Sequence, residues 1–172
     1  LNRANRLFQS ALLEMNKDRM LTPDANASMR LTYGTVLSYD ARDAVHYNEI
    51  TTHKGIIEKY KPGDIEFDAP KRLIEMLKAK DFGQYADKSG NLPACFLTNH
   101  DITGGNSGSP VLDGEGNLIG TAFDGNWEAI SSDFAFEPDL QRTISVDIRY
   151  TLFIVDKFGG AGHLLNEMKI IR

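Results

Sequence analysis

One short segment of this 172-residue chain has the residue types to attack a carbonyl: Thr103-Gly104-Gly105-Asn106-Ser107-Gly108-Ser109-Pro110-Val111. Acyl transfer to a serine needs a hydroxyl held on a tight turn and backbone N–H groups aimed at the oxyanion that forms. Glycines beside the serine permit that turn and let a substrate carbonyl approach closely. In Gly105-Asn106-Ser107-Gly108 the N–H groups of Gly105 and Ser107 can converge on one point as an oxyanion hole. Ser107 is therefore the candidate nucleophile, and Ser109 a weaker one. Taken alone, the segment reads equally well as a glycine-rich loop without chemistry.

The elements around it favour the first reading. Ala94 to Thr98 is an apolar run expected to form a buried strand leading to the loop. Pro110-Val111-Leu112 and Leu118 to Phe123 read as two strands joined by Asp113-Gly114-Glu115-Gly116-Asn117, a hairpin loop rich in turn formers. This order resembles the chymotrypsin-like peptidases, in which the strand after the serine hairpin pairs with substrate backbone and walls the specificity pocket.

Other elements follow from periodicity. Residues 3–16 place Leu7, Phe8, Ala11, Leu12 and Met15 on one helical stripe, and Thr22 to Asn26 reads as a break between domains. Met29 to Val36 alternates like a half-buried strand. Asp40 to Asp43 is turn-like, and Lys61-Pro62-Gly63-Asp64 is a loop. Pro70 opens a helix with Leu73, Ile74 and Leu77 on one face. Ser145 to Phe158 has helical spacing and stops at Gly159-Gly160, and a short helix through Leu164, Leu165 and Met168 follows. The expected body is mostly β, with helices at its ends.

Composition narrows the function classes. A net charge of −5 argues against a nucleic-acid-binding surface, which needs a basic face. No apolar run approaches the roughly 20 residues of a membrane helix. The single cysteine, Cys95, excludes an internal disulfide and sits in an apolar run, where it is expected to be buried. No His, Cys or carboxylate cluster has metal-ligand spacing, and nothing calls for a cofactor. Of the histidines, His46, His53 and His163 match no motif. His100, beside Asp101, is too close to Ser107 along the entering strand and loop to turn back as its base, so a surface or loop-stabilising role is expected. The chain starts mid-helix without an initiating Met or signal peptide, which predicts a piece cut from a longer polypeptide.

The blocks Thr103 to Leu112, Ala122-Phe123-Asp124-Gly125-Asn126-Trp127-Glu128 and Phe136 to Tyr150 resemble the bacterial dipeptidyl-peptidase 7 and 11 family, as do Asp24 to Gly34 and Arg42 to Val45. The resemblance implies serine exopeptidases of the periplasm that release dipeptides from the free N-termini of oligopeptides. It implies a mainly β, chymotrypsin-like double barrel with an inserted helical domain. Residues 1–24 would close that helical domain, and residues 25–172 would form the second barrel. The catalytic His and Asp would lie upstream, so this chain alone is expected to be inactive and to need the upstream half of its polypeptide.

The resemblance also assigns the substrate site. Asp124 sits where the family anchors the substrate ammonium, as a carboxylate can. Phe123 lies on the strand that pairs with the peptide. Gly125 stands where the branch cleaving after Asp or Glu has arginine, which implies an uncharged, roomy pocket preferring hydrophobic or aromatic residues. Trp127 is expected to pack beneath the pocket wall, and Arg142, Asp147 and Arg149 to form a structural ion-pair network. Half of a two-barrel protein exposes apolar surface, which leaves a homodimer open. The competing reading is a non-catalytic, peptidase-like module that captures peptide N-termini.

Overall fold

The computed structural model describes residues 2–18, 29–132 and 135–171, in two compact units, Leu1–Leu31 and Thr32–Arg172. In the first unit the stripe spaced for a helix forms α1 (Asn2–Met15). Asn16 ends it by donating both its backbone N–H and its side-chain amide to the Leu12 carbonyl. None of the stripe is buried: Leu7, Phe8 and Met15 are all exposed. The expected break at Thr22 to Asn26, and the domain boundary between residues 24 and 25, lie outside the described residues.

Met29 to Val36 does not form the expected half-buried strand. It makes one isolated bridge, Val36 to Thr98, and Met29, Leu31 and Tyr33 stand in solvent. Alternation marks a strand only where a sheet takes its apolar face, and among the described residues none covers this one.

The second unit opens with a ribbon, β1 (Tyr39–Arg42) and β2 (Val45–Tyr47), in which Tyr39 stacks on Tyr47 across the strands. The turn expected at Asp40 to Asp43 is thus a strand. The reversal comes at Asp43-Ala44, where Ala44 takes a left-handed φ of 60°. A five-stranded antiparallel sheet follows, made of β3 (Ile50–Thr52), β4 (Pro93–Thr98), β5 (Pro110–Leu112), β6 (Leu118–Gly125) and β7 (Thr143–Asp147). Their order is β3-β4-β7-β6-β5, with β7 central. The expected barrel is not closed among the described residues: β3 and β5 are free edges. Closure needs strands long enough to tilt and stagger around an axis, and these two have three residues each.

The anticipated strands at 94–98, 110–112 and 118–123 all appear. Cys95 is half-buried rather than buried, because alternation along β4 gives the covered face to Ala94, Phe96 and Thr98. Desolvation still pushes its thiol pKa up.

Helices gather at one end of this unit: α2 (His53–Lys59), α3 (Lys71–Ala79) and α4 (Ile148–Phe153), the last continued by a π turn through Phe158. Leu73, Leu77, Phe82, Tyr85, Leu92 and Phe153 form their shared core, with Leu73, Ile74 and Leu77 buried along α3 as their spacing requires. Phe82 and Tyr85 both meet Phe153 edge-on. The helix expected from Ser145 starts later, at Ile148. Ser145 and Val146 are claimed by the sheet, paired with Phe96 and Cys95 on β4 and with Ala122 and Thr121 on β6. Asp147 then caps the helix, accepting the Arg149 N–H at 2.9 Å.

Candidate active site

The serine loop is built as an extension of the β5–β6 hairpin. Asp113 shapes the hairpin turn by accepting the Asn117 side-chain amide and the N–H groups of Asn117 and Glu115, which holds its carboxyl below the usual range. Beyond β5 the ladder continues: Gly108 N–H donates to the Ala122 carbonyl at 2.8 Å, and Ala122 N–H to the Ser109 carbonyl at 3.0 Å. These bonds clamp the residues flanking Ser107 to β6. The reversal around the serine uses φ of 96° at Gly105, before it, and 87° at Gly108, after it, left-handed values that a side chain would oppose. Asn106 closes it, receiving the Ser109 N–H on its carbonyl and the Thr103 N–H on its side chain.

Ser107 is exposed, and its hydroxyl donates to the Phe123 carbonyl at 3.0 Å. That carbonyl is turned out of the ladder by a register shift between Ala122 and Asp124 that leaves Phe123 as a bulge against β7. Among the described residues the N–H groups of Gly105 and Ser107 have no hydrogen-bond partner. The loop thus presents one hydroxyl and two unengaged amides to solvent.

No histidine among the described residues hydrogen-bonds to Ser107. His100 turns Nδ1 to the Thr98 hydroxyl at 2.8 Å, and Thr143 holds its carbonyl at 2.9 Å. Burial pushes its pKa down. His46 pairs with Asp40, and His163 is exposed. His53 is buried against Phe82, takes the Leu92 N–H on Nδ1 and leaves Nε2 without a partner. Among the described residues no three His, Cys, Asp or Glu side chains gather as metal ligands.

Asp124 is exposed one residue beyond the bulge. One carboxylate oxygen accepts the Gly125 N–H at 2.8 Å. Gly125 pairs with Thr143 on β7, and the chain then enters a 3-10 turn, Trp127–Ser131. Trp127 does not pack beneath a wall: it is 82% exposed. A 3-10 turn repeats every three residues, so Asn126 and Ala129 take the inward positions while Trp127 and Ile130 share the outward face.

What holds this turn was not legible in the sequence. Arg142 is buried and, contrary to expectation, does not pair with Asp147. Its guanidinium donates to the carbonyls of Ser38, Pro138, Asp139 and Gln141 and lies over the Tyr39 ring. A guanidinium fork carries five donors and suits such converging acceptors. Asp147 and Arg149 pair with each other, at 2.9 and 2.7 Å. Asn126 and Arg142 exchange bonds: Asn126 N–H to the Arg142 carbonyl and Arg142 N–H to Asn126 Oδ1. Glu128 receives the Asn126 amide and the Tyr39 hydroxyl on the same oxygen.

An exposed hydroxyl beside two amides without hydrogen-bond partners is an arrangement that acyl transfer can use. The chain belongs to the peptidase S46 family, which it matches over residues 1–170. Dipeptidyl-peptidase 7 of Phocaeicola vulgatus is 55% identical over 97% of this chain and 23% of its own length. The Asp/Glu-specific dipeptidyl-peptidase of Flavobacterium psychrophilum is 50% identical over 99% of the chain and 24% of its own length. Among solved structures, DPP11 of Porphyromonas endodontalis in complex with the dipeptide Arg-Asp superposes with a TM-score of 0.85. Its identity is 41%, covering 93% of this chain and 23% of that one. The chain thus spans about a quarter of the length of the relatives it matches.

Proposed function

We propose that the polypeptide carrying this chain is a serine dipeptidyl peptidase that releases dipeptides from the free N-terminus of oligopeptides, with Ser107 as nucleophile. The observation that carries this reading is the exposed Ser107 hydroxyl, 3.0 Å from the bulged Phe123 carbonyl and flanked by the unengaged N–H groups of Gly105 and Ser107. Ser107 Oγ would attack the scissile carbonyl and lose its proton to a histidine from the upstream half of the polypeptide. The two N–H groups would hold the oxyanion. Collapse of the tetrahedral intermediate would expel the peptide amine, protonated by the same histidine. Water would then hydrolyse the dipeptidyl ester and restore the serine.

The exposed carboxylate of Asp124 would bind the substrate ammonium, and the bulged strand at Phe123 would pair with the dipeptide backbone. Relatives with and without Asp/Glu in their names are similar in identity, 50% and 55%, so overall similarity does not choose the specificity. Gly125 does: with no side chain it brings no cation to the pocket, which favours hydrophobic or aromatic residues at the cleaved bond. Residues 1–24 are assigned to the inserted helical domain and residues 25–172 to the second barrel. A periplasmic location follows from the family resemblance, and cell fractionation tests it.

The test is turnover of dipeptidyl fluorogenic amides by the full-length polypeptide. Hydrophobic second residues are cleaved in preference to acidic ones, and Ser107→Ala abolishes turnover while substrate still binds. Retained turnover in Ser107→Ala sinks the nucleophile assignment. One observation favours a second reading: no histidine among the described residues reaches Ser107. A full-length protein that binds peptide N-termini and cleaves none of these amides would be a peptide-capturing module instead.

A further inference from the structure

Gly125 is tighter than its sequence context suggests. A Cβ built on it would fall 2.8 Å from the Ala129 Cβ, closer than side-chain carbons approach one another. Its φ is not left-handed, so the glycine is required by space and not by backbone conformation. The obstacle is a methyl group on a short turn, and short turns often yield. This one is held from several sides. Asn126 and Arg142 tie its start to β7 through two reciprocal bonds of 2.9 and 2.8 Å. The Asn126 amide reaches the Leu140 carbonyl at 2.8 Å, Glu128 is fixed by Asn126 and Tyr39, and the Ala129 N–H donates to the Asn126 carbonyl. Asn126, Gln141, Arg142 and Tyr39 are all buried, so this network does not exchange its partners for water.

We propose that Ala129 is a further specificity-determining residue: its methyl, held in place by the Asn126–Arg142 network, keeps position 125 a glycine and so keeps the pocket free of a charged side chain. Ala129 acts through residue 125 and is in that sense a positioning residue. This rests on the dipeptidyl-peptidase reading above. It follows that arginine at position 125 cannot by itself convert the pocket to one that accepts acidic residues, because the turn must first give way. Removing the Ala129 methyl supplies the missing space.

The experiment compares the full-length parent with Gly125→Arg, Gly125→Ala, Ala129→Gly, and each Gly125 variant combined with Ala129→Gly. Thermal midpoints and kcat and KM are read on matched amides with Phe or Glu as the second residue. Gly125→Ala and Gly125→Arg each lower the midpoint, and Ala129→Gly restores it in both. Gly125→Arg alone loses turnover on both substrates. Adding Ala129→Gly raises the Glu-to-Phe ratio of kcat/KM by about tenfold or more over the single variant, chiefly through KM for the Glu substrate. If Gly125→Arg alone keeps the parent midpoint and reaches the full selectivity change, Ala129 imposes no constraint and the proposal is overturned. If midpoints are rescued but the ratio never moves, Ala129 is only structural, which also overturns it. If the parent cleaves neither amide, the dipeptidyl-peptidase reading fails, and the specificity role fails with it. A midpoint rescue would then leave only a packing constraint between residues 125 and 129.

Discussion

Around Phe153 the chain buries Leu73, Leu77, Phe82, Tyr85 and Leu92 against one another, whereas the sheet that carries the serine hairpin has, among the described residues, a smaller cluster of Phe96, Val111 and Ala122. Phe123, Trp127 and Ile130 are left in solvent there, at 41%, 82% and 71% exposure. The helical end is held by apolar area, which is non-directional and tolerant of small rearrangements. The serine end is held by directional bonds: the ladder through Ala122, the Asn126–Arg142 exchange and the carbonyls gathered on Arg142. Under the proposed reading, the hydroxyl, amides and carboxylate must stay open to a substrate and so cannot be buried in a core. Hydrogen bonds behind the site fix its geometry while its front stays accessible.

Breaking the apolar end should have the largest effect. Phe153 is fully buried between Phe82 and Tyr85, so Phe153→Ala is expected to cost about 3–5 kcal/mol in urea unfolding. A loss below about 1 kcal/mol would mean that this end is not the stabilising half. Next comes the bonded end. Arg142→Met keeps much of the buried volume but removes the donors to four carbonyls, with an expected loss of about 2–3 kcal/mol. Hydrogen exchange should quicken at the Asn126 and Arg142 amides while the amides of α3 stay protected. Equal loosening at both ends would erase the distinction.

The smallest effect is set by pH. His53 is buried at the helical end, and desolvation lowers its folded pKa below the unfolded value near 6.5. The unfolded chain therefore takes up this proton first. The stability this neutral imidazole permits is complete above about pH 6.5 and declines as the pH falls toward the folded pKa. Urea midpoints measured from pH 8 to pH 5 should fall on the acid side. His53→Leu should flatten that fall while lowering the midpoint overall, since the Leu92 N–H loses its acceptor.

Signals that reside in a few adjacent residues were legible. The glycines around Ser107, the turn formers of the 113–117 hairpin, Pro70 before α3 and the glycines after Phe158 each state a local geometry. Signals that depend on a distant surface misled. The alternation at Met29 to Val36 needs a sheet to receive it, and the helical spacing from Ser145 was overruled by two neighbouring strands that pair with β7. Trp127 is expected beneath the pocket wall, but the three-residue repeat of its turn gives the inward place to Ala129.

The sequence by itself determined that a tight glycine-rich turn carries Ser107 and that a hairpin with turn formers at 113–117 follows it, because each of these is fixed by bonds within a few residues. Only the tertiary structure decided that Phe123 bulges to receive the Ser107 hydroxyl, that Arg142 gathers carbonyls from Ser38 and the 138–141 loop, and that Ala129 crowds Gly125. The physical reason is range. A turn is closed by its own backbone, but a bulge, a buried guanidinium and a steric gap are set by whatever segment folding brings alongside.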